Sequence, residues 1–341
     1  MSRPRLTAEA YISGIKGGER YVLSQAITLV ESTLPTDQQL AERVLEGLLP
    51  HTGQSLRIGI TGVPGVGKST FINALGPYLI SLGHRLAVLS VDPSSEVSRG
   101  SILGDKTRMP DLARQEAAYI RPSAAGSTLG GVARKTRESM LLCEAAGYDI
   151  ILVETVGVGQ SETLVHQMVD CFMLLLLAGA GDELQGIKRG IVEMADLLVI
   201  TKADGENQSA AQRAAEEYRN ALHLYPLPES GVAPQVLSCS AQEQTGLAAL
   251  WQAVLAYHQA TLDNNYFEQK RQHQRLHWLH DTLGHHLKQL FYQHPGVQAV
   301  LPTLEQQVLQ GQSAPAKVAR ELISLFAAKD AGQYSTGGDA P

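Results

Sequence analysis

One stretch, Gly62-Val-Pro-Gly-Val-Gly-Lys-Ser-Thr70, constrains this chain more than any other. It matches G-x-x-x-x-G-K-[ST] in full, directly after the apolar run Leu56–Thr61 and before Phe71, Leu75 and Leu79 at helical spacing. Strand, glycine turn and helix in that order turn successive backbone N–H groups inward around phosphate oxygens. The positive end of the helix lies behind them. Gly62, Val63, Pro64, Gly65, Val66, Gly67, Lys68, Ser69 and Thr70 are therefore read as a nucleotide-binding loop. Lys68 is expected to reach the β- and γ-phosphates, and the Ser69 hydroxyl to meet Mg²⁺. A nucleoside triphosphate site follows.

The surrounding pattern fits that loop. Runs at Leu56–Thr61, Arg85–Asp92, Ala118–Arg121, Asp149–Glu154, Phe172–Ala178, Leu197–Thr201 and Gln235–Ser238 read as strands separated by helical stretches. Several are apolar throughout, as strands covered on both faces are. The fold class is therefore α/β, a doubly wound, mostly parallel sheet with N-terminal and C-terminal helical extensions. The expected organisation is a helical extension at 1–54, a P-loop G domain at 55–261, a helical dimerisation arm at 262–330 and a flexible tail at 331–341. Helices are expected at Ala8–Ile15, Tyr21–Glu31 and Gln38–Leu49, with Pro35 and Pro50 as punctuation. Beyond Asp263 strands disappear, and Leu276, Leu279, Leu283, Leu287 and Leu290 form one helical stripe. Further helices are expected near Val297–Leu309 and Ala314–Ala328. An isolated leucine stripe leaves an apolar face exposed, so Asp263–Leu290 is read as the dimer arm.

Two motifs bear on the base. Thr201-Lys-Ala-Asp204 follows a strand and is a variant of N-K-x-D, in which the aspartate accepts from the N1–H and the 2-amine of guanine. Adenine lacks that pair of donors. Thr201 replaces the usual asparagine and makes fewer hydrogen bonds than an amide can. Ser238-Cys239-Ser240-Ala241 follows the next strand, where a backbone N–H can meet guanine O6. Lys202, Asp204, Ser238, Cys239, Ser240 and Ala241 are therefore candidate base contacts.

The carboxylates at strand ends suit Mg²⁺ or an attacking water. Glu154 opens Glu154-Thr-Val-Gly157, at the place of a D-x-x-G switch, and is a metal candidate with Ser69. Asp92 ends the preceding strand, and Asp105 lies in the loop Pro93–Met109, a candidate switch; each could hold the metal or orient water. Val158 stands where Ras-like proteins carry a water-positioning glutamine, and Gln160 comes two residues later. Slow intrinsic hydrolysis and a partner-completed site are the expectation. The loop after Phe172–Leu177, Gly179-Ala-Gly-Asp-Glu-Leu-Gln-Gly-Ile-Lys188, carries Gln185 and Lys188 as candidates for stabilising charge during hydrolysis.

With the P-loop, Asp92-Pro-Ser-Ser95, Glu154–Ser161, Gly179–Lys188 and Thr201–Asp204 in view, the chain resembles the bacterial MeaB/ArgK-type GTPases over essentially its whole length. These are G-protein chaperones of adenosylcobalamin-dependent methylmalonyl-CoA mutase. The resemblance implies a homodimer that hydrolyses GTP to GDP and gates loading and protection of the mutase's cofactor. It assigns metal and phosphate roles to Lys68, Ser69, Asp92, Asp105 and Glu154, and base recognition to Lys202 and Asp204. No aspartate has a histidine two places on, so the D-x-H-x-x-G cobalamin motif is lacking and any cobalamin is expected on the partner, not on this chain.

Two alternatives stay open. The family has also been labelled a kinase or ATPase of basic amino-acid transport. His273, His277 and His280 share one helix face at a spacing that can ligate a transition metal, which keeps a metal-insertion GTPase in view. Other classes recede. A net charge of −6 speaks against a nucleic-acid partner. The longest apolar run, Cys171–Gly181, is too short to span a bilayer, so no membrane partner is expected. Cys143, Cys171 and Cys239 are widely spaced, and no secretory h-region follows Met1, so a cytoplasmic location is expected.

Overall fold

The computed structural model describes residues 5–91, 108–122, 129–155, 161–179 and 189–330. Seven strands form one sheet: β1 Leu56–Gly62, β2 Leu86–Val91, β3 Ala118–Arg121, β4 Ile150–Thr155, β5 Cys171–Leu177, β6 Leu197–Thr201 and β7 Gln235–Ser238. Their order is β3-β2-β4-β1-β5-β6-β7. Every pair is parallel, with Ile58 opposite Leu152 on one side and Cys171 on the other. The strand that feeds the P-loop therefore lies at the centre of the sheet, between β4 and β5.

Alternation along the strands explains the two covered faces. Ala87, Leu89, Val91, Ile151 and Val153 point to one side. There α1 Ala8–Lys16, α2 Arg20–Val30, α3 Pro35–Leu48 and α6 Leu129–Ala145 contribute Tyr11, Leu23, Val44 and Leu142 to a shared core. The N-terminal helices thus belong to the sheet's own core. Leu86, Val88, Ile58, Ile60 and Leu152 point the other way, onto α4 Lys68–Ser81, α5 Pro110–Ala113 and α10 Leu247–Asp263 through Phe71, Leu75, Leu112, Leu250 and Trp251. The short helices α7 Ser161–His166 and α8 Arg189–Met194 flank the central strands, and α9 Gln208–Leu222 covers β6 and β7. Pro35, read as a helix breaker, is instead the first residue of α3. Proline costs nothing there because that N–H has no helical partner.

The chain divides into two compact units, 1–276 and 277–341. Helix α11 Tyr266–Gln293 runs through the division. At its start Arg271 is buried, donating from Nε to Asp170 Oδ1 at 2.9 Å and from Nη2 to Asp170 Oδ2 at 2.7 Å. Its remaining N–H groups reach the carbonyls of Gly53 and Ser55. Further along α11, Leu276, Leu279, Leu283, Leu287 and Leu290 are each more than half exposed (51% at the least). In the second unit α12 Pro295–Leu309 and α13 Pro315–Asp330 pack through Val297, Leu304, Val318 and Leu322. Among the described residues, no helix is long and apolar enough to cross a membrane.

Candidate functional site

The site is built at the carboxyl ends of β1, β4, β5 and β6, where open parallel sheets gather ligands. β1 ends in Gly62, whose φ is +152°; a Cβ there would stand 2.6 Å from the Leu175 carbonyl oxygen on neighbouring β5. Only glycine lets the loop leave the sheet so close to the next strand. The loop closes at Gly67, with φ +98°, and α4 begins at Lys68.

Lys68 is buried and curls back over the loop, donating to the carbonyls of Gly62 at 2.7 Å and Val63 at 3.3 Å. Desolvation pulls its pKa below the ordinary lysine value, and the charges of Glu154 and Glu162 oppose that pull. An anion near this ammonium replaces lost hydration, so the setting suits a polyphosphate. Glu162, on α7, was not anticipated; its spacing from the P-loop carries no readable signal.

Ser69 Oγ donates to Glu154 Oε1 at 2.9 Å, joining the P-loop to the end of β4. Both oxygens are hard donors. Adjacent ligands of an octahedral ion bound at about 2.1 Å stand about 3 Å apart, so the pair fits Mg²⁺. One residue on, Thr155 Oγ1 donates to Thr61 Oγ1 at 2.9 Å, a second tie between β4 and β1. Asp92, Asp105, Val158, Gln160, Gln185 and Lys188 lie outside the described residues.

Beside the P-loop is a cavity of about 180 Å³ lined by Val66, Gly67, Thr70, Phe71, Thr201, Lys202, Asp204, Cys239, Ala241 and Gln242. The two base motifs therefore meet. Thr201 Oγ1 lies 2.8 Å from the Val66 carbonyl oxygen and 3.1 Å from that of Leu176. Lys202, at φ +55°, donates from Nζ to the Gly65 carbonyl at 3.0 Å. Asn207, which sequence reasoning missed, supports that left-handed turn by donating to the Lys202 carbonyl at 2.6 Å. Ser240 Oγ donates to Asp204 Oδ2 and accepts from the Glu243 N–H at 3.0 Å, fixing the carboxylate across the cavity mouth. Burial pushes the Cys239 thiol up to about 12, so it remains neutral and serves as apolar lining. Ser238, the last residue of β7, accompanies these loops without lining the cavity.

The histidine face of α11 is arranged differently. His277 Nδ1 stands 3.0 Å from Asp281 Oδ2, and among the described residues no three His, Cys, Asp or Glu side chains are grouped to hold a metal ion.

A parallel sheet whose central strand delivers a P-loop, beside a pocket built from a T-K-x-D motif, defines a GTPase of the P-loop nucleotide hydrolases. The model of the family described as "Methylmalonyl Co-A mutase-associated GTPase MeaB" matches residues 23–295, and the chain belongs to that family. It is 52% identical to the GTPase ArgK of Escherichia coli over 268 residues, 79% of this chain and 81% of that one. It is 45% identical to the mitochondrial methylmalonic aciduria type A homolog of Mus musculus over 324 residues, 92% of this chain and 78% of that one. A solved structure described as an LAO/AO transport system kinase superposes with a TM-score of 0.73 at 38% identity, covering 96% of this chain and 100% of the other.

Proposed function

We propose that this GTPase is a homodimeric, cytoplasmic chaperone that gates cofactor loading and protection of an adenosylcobalamin-dependent methylmalonyl-CoA mutase. The observation that carries the reading is the Ser69–Glu154 bond. It ties the phosphate loop to the end of β4, so a change at the γ-phosphate is felt at a second strand of the sheet. The family's description and the mammalian relative's name support the choice of partner.

In this reading Lys68 neutralises the β- and γ-phosphates, and Ser69 with Glu154 holds Mg²⁺. When bound, that ion would supply positive charge to offset the charge that develops on the phosphate oxygens. Asp92 and Asp105 join the metal shell or orient the attacking water. Asp204 accepts from the N1–H and 2-amine of guanine, Lys202 packs beside the base, and the Ala241 N–H meets O6. Gln185 and Lys188 act as a third switch, ordered by the partner, and compensate for Val158. The exposed leucines of α11 form the dimer seam. Cobalamin stays on the mutase.

Affinity capture of the purified protein loaded with a non-hydrolysable GTP analogue, or left unloaded, tests the proposal. Recovery of the mutase in a nucleotide-dependent manner is expected. Transfer of phosphate from ATP to an acceptor, with no mutase recovered, would favour the transport-kinase reading instead.

A further inference from the structure

The base pocket differs from an N-K-x-D pocket in the number of protons it can donate. A carboxamide carries two N–H donors, whereas a threonine hydroxyl carries one. Thr201 is buried, at 4% exposure, and both atoms near its Oγ1 are main-chain carbonyl oxygens, Val66 O at 2.8 Å and Leu176 O at 3.1 Å. Both are pure acceptors, so the single hydroxyl proton is committed to holding β6 against the P-loop and the end of β5. No proton is left for a ligand.

The place where that matters follows from purine chemistry and rests on the guanine reading given above. N1 and the 2-amine are assigned to Asp204, and O6 to the loop after β7. The five-membered ring carries N9, to which the ribose and phosphates attach, so that ring faces the P-loop. N7 is in the same ring and is an acceptor. Thr201 lies at that junction, bonded to Val66 and lining the cavity. Two neighbouring donors are also directed elsewhere: Lys202 Nζ to the Gly65 carbonyl and the Cys239 N–H to the Ile200 carbonyl.

We infer that Thr201 is a positioning residue which joins the base motif to the P-loop at the expense of reading guanine N7. Guanine is accordingly selected by its N1, 2-amine and O6 edge, with no hydrogen bond from Thr201 to N7. An asparagine at this position could satisfy one carbonyl and still give its second N–H to N7.

The test compares equilibrium binding of GDP, 7-deaza-GDP and IDP to the full chain. In 7-deaza-GDP a C–H replaces N7 and all else is kept; a hydrogen bond to N7 is worth about 2- to 10-fold in affinity. For the native protein the 7-deaza-GDP to GDP ratio of dissociation constants is expected below about 2, and a ratio of 2 or more overturns the inference. Thr201→Asn is expected to raise the ratio above about 2; a ratio left at the native value removes Thr201 as the cause. Should Thr201→Asn fail to fold, Thr201→Val serves, since it deletes the tether: GDP and 7-deaza-GDP should weaken equally, and unequal weakening overturns the assignment. IDP lacks the 2-amine. If it binds as tightly as GDP, the Asp204 reading of guanine fails, an outcome separate from the 7-deaza ratio.

Discussion

Replacing Arg271 with methionine removes one guanidinium from the base of α11 and leaves Asp170 buried without its main cation. Arg271 makes two charge-assisted bonds to Asp170, at 2.9 and 2.7 Å, and two to the carbonyls of Gly53 and Ser55. It also stacks on Phe267 at 4.4 Å. The Asp170 carboxylate keeps only the Arg57 N–H at 2.8 Å among these contacts. Breaking a buried pair from one side costs about 3–5 kcal/mol, because the remaining charge stays desolvated. Methionine preserves the apolar stem, so packing loss adds little. Urea unfolding followed by circular dichroism should show that deficit at pH 7, and Asp170→Asn in the same background should recover part of it. The pH dependence provides a second check. Burial pushes the Asp170 pKa up, but Arg271's hydrogen bonds and charge, with Arg57, outweigh it, and the net value lies below the ordinary one. A depressed folded pKa means that the native protein holds this stability above the unfolded pKa, about 3.9, and loses it as pH falls through the folded value. The variant lacks that contribution, so its deficit should be full near neutrality and shrink in acid. A deficit below about 1 kcal/mol at pH 7, or one that grows in acid, would refute the reasoning.

Lys68→Ala should abolish GTP hydrolysis in a phosphate-release assay and weaken GTP binding strongly, since the ammonium is held over the loop on the Gly62 and Val63 carbonyls; turnover at the native rate would exclude it. Asp204→Asn exchanges one acceptor for a donor and should swing preference from GTP toward XTP in competition binding. An unchanged margin for GTP would mean that Asp204 does not read the base. Leu283→Glu with Leu287→Glu should yield monomers in sedimentation velocity, and an unaltered dimer would place the seam elsewhere.

Much of this architecture was legible in the sequence because the sheet is covered on both faces. Strands such as Ile150–Thr155 are then apolar at every position up to the functional Glu154 and the Thr155 beside it, and stand out from helices of longer period. The P-loop was legible because its chemistry depends on local spacing. What escaped were contacts between residues distant in the chain. Nothing around Arg271 points to Asp170, 101 residues away, and nothing around Asp204 points to the hydroxyl of Ser240. Thr201 read as a weakened asparagine, whereas its short hydroxyl sits between two carbonyls that the strand order brings together. The share of the N-terminal helices in the core depended likewise on which sheet face α6 left for them.

The proposed function is tested most directly by the rate of GTP hydrolysis with and without purified adenosylcobalamin-dependent methylmalonyl-CoA mutase. With Val158 where a water-positioning glutamine could stand, the account predicts slow hydrolysis by the protein alone and a marked increase with the mutase. Lys188→Ala should bind GTP normally and lose that increase. A rate that does not change at saturating mutase, in a protein that binds and hydrolyses GTP, would contradict the account.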